Sequence, residues 1–115
     1  MALYYDLPVF KDTYKLTLQL FELTQHLPRE YKFTLGQDIK RDCIHLVRSI
    51  YRANKCHERE KYLEEFLDDF EVLKLEVRLC TDLHLFTIKQ QANLALQMDG
   101  IGNQITGWRN SVRSQ

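Results

Sequence analysis

Apolar side chains in this chain recur three and four positions apart along four separate stretches, and only two prolines, Pro8 and Pro28, interrupt the pattern. At about 100° per residue such spacing puts each set on one face of a helix, and no stretch alternates with period two long enough to make a strand. A chain of 115 residues supports one compact domain, residues 1–115, and is too short for two.

Pro8 and Pro28 frame the first helix, about 8–26, because proline suits the first turn of a helix and disrupts its interior. Phe10, Tyr14, Leu18 and Phe21 form one stripe on it, and Val9, Leu16, Leu20, Leu23 and Leu27 form another. Two stripes exceed what one bundle face requires, so either this helix sits deep or the second stripe meets another protomer; a homo-oligomer is expected.

Thr34-Leu35-Gly36-Gln37 has the form of a capping box and opens a second helix, about 35–53, whose core stripe is Ile39, Cys43, Leu46, Ile50 and Ala53. A short connection through Asn54-Lys55-Cys56 leads to a third helix, about 57–81, with a seam of Arg59, Tyr62, Phe66, Phe70, Leu73, Val77 and Cys80. Its acidic N-terminal half and its later Lys74 and Arg78 suit the helix dipole. Residues 82–86 read as a loop, and Thr87-Ile88-Lys89-Gln90 is a second capping box, opening a fourth helix, about 88–111. Short loops between four such helices predict an all-α fold, an antiparallel up-and-down four-helix bundle.

In that fourth helix Leu94, Met98, Ile101, Ile105, Trp108 and Val112 form a seam that runs unbroken past Gly100, Gly102 and Gly107. Glycine within a helix costs roughly 1 kcal/mol relative to alanine, so three so close together signal tight packing rather than a loop. Gly102 flanks the seam, whereas Gly100 and Gly107 point away from it. Together with Trp108 these glycines are the candidate oligomer-packing residues.

Several function classes find no support. Lys+Arg and Asp+Glu balance at 16 each, so no global field draws the chain to nucleic acid or membrane. No apolar run approaches the roughly 20 residues of a membrane span, and Met1-Ala2-Leu3-Tyr4-Tyr5-Asp6 lacks the pattern of a secretory signal, which predicts a soluble, cytoplasmic protein without a membrane partner. Cys43, Cys56 and Cys80 include no Cys-x-x-Cys pair and read as free thiols, and His26, His45, His57 and His84 form no ligand cluster, so no metal is expected. Gly100-Ile101-Gly102 lacks the third glycine and preceding strand of a dinucleotide fingerprint, and no nucleophile sits beside a base in a motif. Neither a cofactor, a small-molecule substrate nor catalysis is expected.

Charge is instead segregated locally. Arg41, His45, Arg48, Arg52 and Lys55 share a sector of the second helix and could track a phosphate backbone or be an ordinary solvated face. Glu60, Glu64, Asp68 and Glu71 share a face of the third helix, and that acidic ridge could dock the basic one within a protomer or between protomers.

Phe33-Thr34-Leu35-Gly36-Gln37, Arg78-Leu79-x-x-Asp82-Leu83 and Ile101-Gly102-x-x-Ile105-x-Gly107-Trp108, in this order and spacing, resemble the Avd (accessory variability determinant) proteins of diversity-generating retroelements. The resemblance extends from Tyr14 to Ser111. It implies a four-helix bundle that assembles as a homopentamer without catalytic activity, and that binds a reverse transcriptase and RNA, with DNA a further partner, to support error-prone cDNA synthesis. Basic residues four apart late in the third helix are associated with that binding in the family, and Lys74 and Arg78 fill the register here. With Arg41, Arg48, Arg52 and Lys55 they are the candidate nucleic-acid and reverse-transcriptase residues. Two alternatives stand beside this reading. One is the related bundle family encoded by intervening sequences of ribosomal RNA genes, whose Asn-Ile-Ala-Glu-Gly run is replaced here by Tyr51-Arg52-Ala53-Asn54-Lys55. The other is a self-assembling structural protein with paired acidic and basic ridges and no nucleic-acid role.

Overall fold

The computed structural model describes residues 3–115; Met1 and Ala2, part of the N-terminal run considered above, lie outside the described residues. After a single 3-10 turn at Tyr4–Asp6 come α1 (Pro8–Gln25), the one-turn α2 (Arg29–Lys32), α3 (Leu35–Lys55), α4 (Arg59–Asp82) and α5 (Ile88–Arg113), with no strand among the described residues. The four long helices make an antiparallel bundle of 46 × 22 × 22 Å in which α3 packs on α1 and α4, and α5 on α4 and α1. The all-α bundle expected from the spacing is therefore the fold.

The core is the stripe predicted for α3, plus most of those predicted for α4 and α5, whose last members Trp108 and Val112 are only partly buried. Ile39, Cys43, Leu46, Ile50 and Ala53 face Phe66, Phe70, Leu73 and Val77 of α4 and Leu94, Met98, Ile101 and Ile105 of α5 across one apolar interior. The Phe66 and Phe70 rings meet at a tilt of 43°, 5.4 Å between centroids. Leu63 is fully buried although it lay outside the predicted seam, whereas Tyr62 is only half-buried and Arg59 lies at the rim.

On α1 the stripe turned into the core is Val9, Leu16 and Leu20, interleaved with buried Thr13, Thr17 and Thr24; Leu27 just after the helix is buried with them, and Leu23 is half-buried. Thr17 and Thr24 tolerate burial because their hydroxyls donate to the carbonyls of Thr13, at 2.8 Å, and Phe21, at 3.0 Å. It is the other stripe, Phe10, Tyr14, Leu18 and Phe21, that stays at or near the surface, reversing the expected roles. Polar side chains also join α1 and α5: Gln97 Nε2 donates to Gln19 Oε1 as well as to Asn93 Oδ1 on its own helix, and Gln104 Nε2 donates to Asp12 Oδ2 at 2.7 Å.

The two capping boxes part company. At α5 the Thr87 hydroxyl accepts from the Gln90 N–H at 3.0 Å, while the Gln90 side chain accepts from the Thr87 N–H at 2.9 Å, as the sequence predicts. At α3 the box does not form. The unforeseen α2 ends one residue before Phe33 and presents free carbonyls, and the Thr34 hydroxyl donates back to that of Glu30 at 2.9 Å instead. Gly36, close behind, is the most tightly held glycine, since a Cβ there would stand 3.3 Å from the Tyr31 carbonyl oxygen. Helix ends also move slightly: α3 continues through Asn54 and Lys55, and Cys56, in extended conformation, ends it.

The turn after α4 is a Schellman motif with histidine where glycine is usual. His84 has φ 62°, its N–H donates to the Thr81 carbonyl at 3.0 Å, and that of Leu85 donates to the Cys80 carbonyl at 2.7 Å. These bonds, and burial of Phe86 behind them, hold a left-handed conformation that a side chain disfavours. The variant His84→Gly should stabilise the chain by about 0.5–1 kcal/mol, read as a higher midpoint of urea unfolding; an unchanged or lower midpoint would show that the turn carries no such cost.

One ionisable group breaks the apolar interior. Glu76 of α4 is buried against α3, and its Oε1 finds no hydrogen-bond partner among the described residues. Burial first, then the hydrogen bond and charge of the adjacent Asp42 carboxylate, raise its pKa from 4.5 to about 8. Burial likewise lifts the Cys43 thiol to about 12 and that of Cys80 to about 11, which keeps both protonated and inert. The native state thus keeps a proton on Glu76 that the unfolded chain releases above 4.5, so stability is lost as pH rises from 4.5 to about 8. This group contributes a slope of up to about 1.4 kcal/mol per pH unit. Glu76→Gln should remove that slope and unfold at higher denaturant than the parent at pH 8; parallel stability profiles from pH 5 to 8 would refute the assignment.

Candidate binding surface

α3 presents its basic residues as an interrupted row. Arg41, Arg48 and Lys55 are exposed, and exposed Ile44 and Tyr51 stand between them, whereas His45 and Arg52 are half-buried on the flank toward α4. Arg41 is held by Asp38 at 3.1 Å and lies 3.9 Å from Asp42. The Arg52 guanidinium covers the Tyr62 ring at 5.8 Å, and Lys55 Nζ donates to the Tyr51 hydroxyl at 3.0 Å. That hydrogen bond raises the Lys55 pKa. Arg48 enters no such pair among the described residues and borders an open recess of about 470 Å³ with Tyr4, Ile44, Val47 and Tyr51. The basic sector expected on this helix is thus a row of cations alternating with apolar side chains.

Within the chain, the acidic ridge of α4 does not dock onto this row. Glu60 and Glu64 turn toward α5, where Arg113 meets them at 2.6 and 2.7 Å and Arg109 meets Glu64 at 3.3 Å. Glu71 pairs with Lys74 one turn on, at 3.2 Å. The reason is angular: α4 turns Tyr62, Asp69 and Glu76 toward α3, and residues near Glu60 and Glu64 fall on the opposite flank at about 100° per residue. Arg109 and Arg113 were not singled out in the sequence, although their spacing of four on the last helix is the pattern that finds such partners.

Lys74 and Arg78 come together on that α5-facing flank, apart from the α3 row. With Val77, Gln91, Ala95, Met98 and Asp99 they line a groove of about 220 Å³ between α4 and α5. Lys74 Nζ lies 5.0 Å from the centre of the Phe70 ring, while Arg78 reaches into solvent with Asp82 at 3.7 Å. An open, weakly paired arginine beside a seated lysine suits an extended anionic or polar partner better than a small enclosed ligand. The six basic candidates therefore divide into two surfaces, Arg41, Arg48, Arg52 and Lys55 on α3 and Lys74 with Arg78 in the groove.

The glycine and tryptophan candidates divide too. Trp108 packs half-buried against the core, and a Cβ on Gly102 would meet the Phe70 ring at 3.6 Å, so both have partners within the chain. A Cβ on Gly100 or Gly107 would meet nothing within 4 Å. No group of three or more His, Cys, Asp or Glu residues is placed to hold a metal ion among the described residues. No helix among them is long and apolar enough to cross a membrane.

No curated protein matches the sequence. A family model described as bAvd-like, however, matches residues 9–112, which take in the four long helices but for Pro8 and Arg113, both basic surfaces and the glycine-tryptophan segment. Given a match over nearly the whole chain and the four-helix bundle the structure displays, the chain belongs to the bAvd-like family.

Proposed function

We propose that this protein is a non-catalytic accessory factor of a diversity-generating retroelement, acting as a homopentamer that binds the reverse transcriptase and its template RNA or cDNA in the cytoplasm. The observation that carries the reading is the family match over residues 9–112, within which Lys74 and Arg78 meet in one open groove. The internal pairing of Glu60 and Glu64 with Arg109 and Arg113 supports it further, because the α3 cations are then not consumed by the acidic ridge. Nucleic acid is met through local cations on a neutral chain, so binding is salt-sensitive and modest in affinity.

Two measurements test the reading. Lys74→Glu with Arg78→Glu should abolish co-purification with the element's reverse transcriptase while the oligomer persists; retained binding would remove the groove from the interface. Arg41→Glu with Lys55→Glu should weaken binding of single-stranded RNA and flatten the dependence of log K on log salt by about 1.5 units. Absence of RNA binding by the parent chain at about 50 mM salt, where phosphate contacts are strongest, would refute the nucleic-acid role.

A further inference from the structure

Five aromatic rings meet on one side of the bundle. Tyr4 touches Tyr5, Phe10 and Tyr51 edge-on at 5.3, 5.2 and 5.1 Å between centroids, and Phe10 stacks on Tyr14 at 5.8 Å. These contacts tie the N-terminal turn to α1 and α3 and fix the rings, yet Tyr5 stays 49%, Tyr14 50% and Tyr51 39% exposed. Cations stand among them. Lys55 Nζ lies 4.5 Å from the centre of the Tyr51 ring, Arg48 borders the open recess of about 470 Å³ that Tyr4 and Tyr51 also line, and exposed Lys11 lies three residues before Tyr14 on the same helix. Two carboxylates of these helices turn elsewhere: Asp12 accepts from Gln104 of α5, and Asp42 meets Glu76 of α4.

We infer that this face binds an unpaired strand of nucleic acid by stacking its bases on Tyr5, Tyr14 and Tyr51 while Lys11, Arg48 and Lys55 meet its phosphates. A ring fixed by its neighbours and open to solvent on its remaining side suits stacking, because little side-chain freedom is lost when a base covers it. Phe10 and Tyr14 already form a short stack, and a base on the outer side of Tyr14 continues it. A partner made only of apolar side chains would cover the cations without pairing them, whereas a strand carries base and phosphate together in every unit. In a duplex the base faces are stacked against one another, so the surface selects the single strand. Stacking does not read base edges, so binding is tolerant of sequence. The inference rests on the nucleic-acid part of the reading above and adds that bases are held as well as phosphates, and by which side chains.

A strand stripped of its bases tests this with the parent chain. At about 50 mM salt, single-stranded oligouridine of about 12 nucleotides should bind about five- to a hundredfold more tightly than an abasic strand of the same length and charge. Tyr5→Leu with Tyr14→Leu keeps apolar side chains and every cation. It should weaken oligouridine binding by a similar factor and leave the dependence of log K on log salt as in the parent, since no phosphate contact is lost. Tyr5→Phe with Tyr14→Phe should bind as the parent does. Both positions are exposed, so the variants should keep the parent's helical circular dichroism and its mass by light scattering. Where leucine disturbs either, the abasic comparison decides alone. Equal binding of the two strands by the parent would overturn the stacking and leave the nucleic-acid reading standing. So would full affinity in the folded leucine variant, a loss there that comes with a flatter salt dependence, or a phenylalanine variant as weak as the leucine one. A parent that binds neither strand would overturn both.

Discussion

Burial of the apolar face of α4 is the constraint on which the rest of the molecule depends. Leu63, Phe66, Phe70, Leu73, Val77 and Cys80 repeat at three and four over most of the helix, and no single partner covers so wide a face. α3 takes one side and α5 the other, and α1 closes the square by packing on both. Each large side chain removed from water there contributes about 1.5–3 kcal/mol, enough to outweigh the local misfits at the helix ends and within the core. Those misfits are specific: a left-handed His84, a protonated Glu76 and a helix start at Thr34 without its cap.

The same packing decides where charge ends up. Once the broad face of α4 is turned inward, its acidic residues fall onto two flanks and an outer surface. Glu60 and Glu64 find arginines on α5, Asp69 lies toward His45 of α3, and Glu65 and Asp68 stay in solvent. A chain with no net charge thereby acquires separated basic and acidic surfaces. Exposed ion pairs of this kind contribute little to stability, so their weight lies in the choice of partner and orientation. The seam between α1 and α5 adds a different element, an amide cluster of Gln19, Asn93 and Gln97 that helps specify how the last helix docks.

What could be read in advance was what short-range geometry controls. The core stripes of α3 and α5 follow from spacing, because a helix repeats its faces regardless of neighbours. The Thr87–Gln90 box forms because its four residues contain all its partners. Thr34 had the same local pattern, but the one-turn α2 offered its hydroxyl a competing carbonyl, and that offer depends on the path of the chain from Pro28. Leu63 fits the same repeat, three residues before Phe66, but Tyr62 offers a competing apolar ring four residues before it, and only the packing of the neighbouring helices turns Leu63 inward and leaves Tyr62 half-buried.

By itself the sequence determined the helical class, the number of long helices, the inward residues of most of them and the family, since periodicity and ordered motifs are properties of the chain alone. Tertiary structure decided which surface each leftover residue would occupy. Two stripes on α1 are equivalent as pattern, and only docking against α3 and α5 sends Leu16 and Leu20 inward and leaves Tyr14 and Leu18 in solvent. Likewise Gly102 and Gly107 look alike in the sequence, yet one lies under Phe70 and the other faces open space. A helix has one axis but several faces, and which of them is buried depends on neighbours brought from far along the chain.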